Sequence, residues 1–103
     1  QPAPDLQSVG LHLRTAVLAN LAGTAASSFS YDVEQPATHV DVLVADVQWP
    51  MPAGATRVGT RGWIATMHGL TVLGGSDSSN EHMLVIASDH ARAMTTAATL
   101  GII

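Results

Sequence analysis

The chain has 103 residues and a mass of 10.6 kDa, enough for one hydrophobic core and no second, so 1-103 is expected to be a single domain. Only 12% of the residues are charged, about half the roughly 25% usual in soluble domains, and the four basic residues (Arg14, Arg57, Arg61 and Arg92) are scattered, with no Lys. A formal net charge of −4 without a basic cluster argues against nucleic acid or an anionic membrane surface as partner, and with 0 Cys there are no disulfides, thiolate metal sites or Cys nucleophile.

The first residues, Gln1-Pro2-Ala3-Pro4, carry no initiator Met and fit a processed end as well as a trimmed one. Asp5, placed after Pro4, suits the cap of a helix, and Leu6, Val9, Leu13, Val17 and Leu21 recur at three- and four-residue steps. The spacing predicts an N-terminal amphipathic helix, weakened by Gly10 and ended by Gly23. Ser27 to Pro36 follows as a short edge strand or a loop, with Phe29 and Tyr31 as its large apolar anchors.

From Thr38 to Trp49 the composition is that of a strand. Alternation puts Val40, Val42 and Val44 on one face and His39, Asp41 and Leu43 on the other. Pro50-Met51-Pro52-Ala53-Gly54 then stops the ladder, because proline has no amide to donate. Arg57 to Leu73 predicts one bent strand or two short ones, with Gly59, Gly62 and Gly69 marking bends or close backbone approach.

Gly74 to Asn80 is expected to be a polar connector, and Ser78 with Glu81 three residues on has the spacing of a capping box. A C-terminal helix should follow, with Met83, Ile86, Ala87, Ala91, Met94, Ala97 and Ala98 on one stripe and Gly101 as its stop. The competing reading makes the apolar run His82 to Ser88 a buried strand. The expected fold class is therefore α+β: an antiparallel sheet of three to four strands packed against an N-terminal and a C-terminal helix. No apolar segment approaches the roughly 20 residues that span a bilayer.

Candidate chemistry is thin. His39 and Asp41 share a strand face and form the best local pair for an ion or an oriented imidazole, but no spacing of a recognised metal site occurs. Ser88, Asp89 and His90 have the residue types of a hydrolase triad, yet adjacent helical positions point about 100° apart. Asp89 and Arg92 read as a surface ion pair. The Gly74 to Ser79 loop has the outline of an anion cradle, but Asp77 and Glu81 already occupy it and no Lys is present. No catalytic residue, cofactor or metal site is assigned. Trp49, Trp63, Met51 and Met67 fit either a core or an apolar cavity. In Trp49-Pro50-Met51-Pro52 a large aromatic and a Met sit in a proline-stiffened turn, so Trp49, Met51 and Trp63 are the interface candidates.

The stretch Leu13-Arg14-Thr15-Ala16-Val17-Leu18-Ala19-Asn20-Leu21 resembles the opening helix of the tail-terminator and tail-completion proteins of long-tailed bacteriophages, and the expected order of elements is similar to theirs. The resemblance implies a ring-forming virion subunit (phage tail or head-tail connector) with no chemistry and no cofactor. Independently of it, the scarcity of charge points to a structural protein whose surface is covered by other protein subunits, with a homo-oligomer as the expected form. The alternatives are a small-ligand-binding or enzymatic α+β domain using His39, Asp41 and His68, and an exported cell-envelope domain.

Overall fold

A computed structural model describes residues 3–21, 23–33 and 38–103. Gln1, Pro2, Ala22 and residues 34–37, and with them the end of the segment Ser27 to Pro36, lie outside the described residues. A 3-10 turn at Gln7–Val9 is followed by seven strands: β1 (His12–Leu21), β2 (Thr24–Val33), β3 (Thr38–Ala45), β4 (Thr56–Val58), β5 (Gly62–Met67), β6 (Leu70–Ser76) and β7 (His82–Ala87). One helix, α1 (His90–Leu100), closes the chain. All neighbours pair antiparallel in the order β1-β2-β3-β7-β6-β5-β4, so the late strand β7 enters the middle of the sheet.

This corrects the expected fold class: among the described residues seven strands replace three to four, and the N-terminal helix does not form. Gly10, at φ +80, ends the N-terminal turn after Gln7–Val9. Beyond it Leu13, Val17 and Leu21 form no helical stripe. Pairing against β2 puts Leu13 opposite Tyr31, Val17 opposite Ser28 and Leu21 opposite Thr24, with an irregularity between Leu13 and Thr15. Nine residue pairs along the ladder give partners to the backbone groups of β1 that face β2, and this tertiary pairing outweighs a modest helical periodicity. The left-handed Gly23, at φ +82, turns a hairpin and not a helix end. The segment starting at Ser27 is correspondingly no edge, because β2 is an interior strand flanked by β1 and β3.

In β3, Val40, Val42 and Val44 are buried on the face that carries α1, while His39 and Asp41 lie on the other. The Gly-rich region makes three strands, β4, β5 and β6, with tight turns at Gly59 and at His68-Gly69. Glycine matters most where the C-terminal tail crosses the sheet. A Cβ on Gly62 or Gly75 would stand 2.8 or 2.9 Å from the Ile102 carbonyl oxygen.

The C-terminal helix is shorter than the stripe from Met83 predicts. His82–Ala87 is a strand, buried at Met83, Leu84 and Val85, and the helix begins only at His90. Asp89 is its cap, accepting from the Arg92 amide at 3.0 Å. The expected capping box at Ser78 and Glu81 instead belongs to a loop between strands. Ala93, Thr96 and Ala97 face the sheet, and their small side chains let α1 lie close over β6 and β7.

The sheet is buried on both faces, unequally. Under α1 lies the larger core, including Leu6, Leu11, Phe29, Tyr31, Val42, Leu73, Val85 and Ile102. On the opposite face Leu43, Trp49, Trp63, Val72 and Leu84 form a smaller cluster roofed by the Trp49 loop.

Candidate protein-contact edge

The sequence-derived site residues separate in space. Trp49 is 4% exposed, and its indole nitrogen donates to the His82 carbonyl at 3.2 Å. Trp63 is 7% exposed and belongs to the same apolar cluster. Both rings are covered by their own chain, whereas Met51, beside exposed Pro50, remains open to solvent. Leu21, Pro50, Pro52 and Met67 line a recess of about 190 Å³ against the two tryptophans. Leu21 and Met67 come from β1 and β5, far apart in the sheet order, and sheet twist brings such diagonal corners together. The recess falls below the roughly 300 Å³ at which small-molecule sites begin.

His39 and Asp41 do share a face. Their nearest nitrogen and oxygen are 3.8 Å apart, and Asp41 accepts from the Ser30 hydroxyl at 2.7 Å. His68, in contrast, lies in the β5–β6 turn, with β7 and β6 between it and β3. The three residues of the ligand-site alternative are therefore not brought together, and no group of three or more metal-binding side chains occurs among the described residues. Asp89 and Arg92 form a cap and not an ion pair: the Arg92 guanidinium reaches instead to the Val9 carbonyl at 2.9 Å, tying α1 to the N-terminal turn. At the would-be anion cradle, Asp77 itself fills the loop, accepting from Ser79 N at 2.9 Å, Ser79 Oγ at 2.8 Å and Glu81 N at 3.0 Å.

The feature that sequence reasoning missed is β1. It forms one edge of the sheet, and nearly every residue in it is exposed. Leu13 is 50%, Val17 58%, Leu18 89% and Leu21 40% exposed. α1 packs over β6, β7 and the N-terminal turn and does not cover this strand. Alternation sends Ala16 and Leu18 to the helix face and Thr15, Val17 and Ala19 to the other, so both faces are open and largely apolar.

Edge strands are usually blunted by charge, proline, short length or bulges. The opposite edge, β4, meets that rule with three residues, two of them exposed Thr56 and Arg57. On β1 the protection is confined to one end, where the register shift between Leu13 and Thr15 coincides with Arg14, 3.8 Å from Asp32. From Thr15 to Leu21 there is no charge and no proline. The signal was present in the sequence as an uncharged run, but a helical reading hid which backbone groups it would leave open.

Comparison with family models, curated proteins and solved structures finds no match for the chain. No helix among the described residues is long and apolar enough to cross a membrane.

Proposed function

We propose that this protein is a structural assembly subunit that acts through protein–protein contacts, with β1 as its principal contact element. The observation that carries the reading is the ten-residue edge strand whose leucines and valine stand open on both faces of the sheet. Such an edge offers a row of unpaired amides and carbonyls together with apolar side chains, the two components of strand addition. The low charge of the whole chain fits the same reading, since covered surface needs fewer ionised groups for solvation.

The ring-forming virion setting is the specific form that the resemblance implies, and it rests on that resemblance alone. The segment that carries it, Leu13 to Leu21, is a strand here and not an opening helix. The test is molar mass by light scattering together with amide exchange. Association, with slow exchange over Thr15–Leu21, is the expected result. A monomer at every accessible concentration, with rapidly exchanging β1 amides, would remove the support for a contact edge.

A further inference from the structure

We infer that the partner of β1 is β1 of a second copy of this chain, paired antiparallel about a two-fold axis through Leu18. The inference rests on the assembly-subunit reading and specifies its partner.

Length is the first argument. A head-to-tail contact would set the ten residues of β1 against the three of β4, leaving most of β1 unpaired. Only β1 itself offers a described edge of equal length.

Register is the second. An antiparallel two-fold normal to the sheet keeps each face with its like face, so its centre must fall on a residue. After the irregularity the regular ladder runs from Thr15 to Leu21, and Leu18 is its midpoint. Centred there, Leu18 meets Leu18 of the second copy and Ala16 meets Asn20 on the helix face. Val17 meets Ala19 and Thr15 meets Leu21 on the other. The side chain most exposed in the free strand becomes the centre of the contact, and seven residues pair, more than the five or six of an average strand.

Charge is the third argument. The sole Arg or acidic residue of β1 is Arg14. Parallel pairing would place two arginines side by side. In the antiparallel arrangement they stand about 27 Å apart at a rise of roughly 3.4 Å per residue, well beyond the screening length of about 8 Å at physiological salt. Strand addition alone covers less area than a permanent dimer interface, so the dimer should dissociate on dilution.

The experiment uses the whole chain, which has no Cys of its own. Leu18→Cys, treated with a short bis-maleimide, is expected to crosslink efficiently. Arg14→Cys should not crosslink to itself, and a mixture of Leu18→Cys with Thr56→Cys should give only the Leu18→Cys homodimer. Leu18→Lys places two ammonium groups face to face and should halve the molar mass to 10.6 kDa at a concentration where the unaltered chain is dimeric. Unchanged near-ultraviolet dichroism of Trp49 and Trp63 would show that this variant is folded. If Leu18→Lys does not fold, the cysteine pattern decides. Self-crosslinking of Arg14→Cys, crosslinking between Leu18→Cys and Thr56→Cys, or a folded Leu18→Lys of undiminished mass overturns the antiparallel pairing while leaving the assembly reading in place. A chain that is monomeric throughout overturns both.

Discussion

The indole of Trp63 covers Gly74, its cross-strand partner on β6. A Cβ built on Gly74 would overlap the ring, its nearest atoms being Cζ2 and Cε2 of Trp63. Glycine here makes room for a large ring that lies along the sheet and joins the cluster of Trp49, Val72 and Leu84.

Gly74→Ala should therefore expel or tilt the indole. Overpacking of this kind costs about 1–3 kcal/mol, and the expected outcome is a lowered denaturation midpoint with a red-shifted tryptophan emission. Unaltered stability and emission would mean that the ring can move aside freely.

Tyr31 anchors the N-terminal segment from within the larger core, donating its hydroxyl to the Pro4 carbonyl at 2.7 Å. Burial first, and the Asp5 carboxylate second, push its pKa up from 10.0 to about 12. The raised value means that the neutral phenol is favoured in the folded protein. Its stabilisation is fully present below pH 10 and is lost as pH rises toward 12. Denaturant titrations across that window should show falling stability for the unaltered chain. Tyr31→Phe should show a shallower fall, with a loss of about 1 kcal/mol at neutral pH from the missing hydrogen bond.

Asp77 behaves oppositely. Burial alone would raise its pKa, but the Ser79 hydroxyl and the Glu81 and Ser79 amides, with Arg61 nearby, hold it below 3.8. A lowered value favours the carboxylate in the folded state. Its contribution is present above pH 3.8 and disappears as pH falls through the folded pKa. Asp77→Asn should flatten the acid limb of the stability profile and cost about 1 kcal/mol at pH 7, since a neutral amide is a weaker acceptor. An identical acid limb in the variant would exclude Asp77 as its source.

Legibility in the sequence followed the number of local signals that agreed. β3 was readable because Val40, Val42 and Val44 combine strand propensity with alternation, and all three are buried; the strand ends at Ala45, short of the Trp49 expected, and Leu43 is buried on the other face as well. Gly101 was readable as a helix stop, and it caps α1 at φ +80. His82 to Ala87 was ambiguous because a short apolar run buried on both faces has no period, and entry into the middle of the sheet decided it for a strand. Leu13, Val17 and Leu21 misled because a four-residue step is even and keeps side chains on one face of a strand as well as of a helix; Val17 and Leu21 do share a face, and the irregularity between Leu13 and Thr15 moves Leu13 to the other.

Composition and alternation determined by themselves that this chain has few charges, a valine-rich strand from Thr38 and glycines at bends or close backbone approaches. Those features are local, carried by residue type and near neighbours. Only the tertiary structure decided that residues 12–21 form an edge and that both tryptophans turn inward. Strand pairing joins segments distant in sequence, and which segment remains last in the row depends on every other pairing in the sheet.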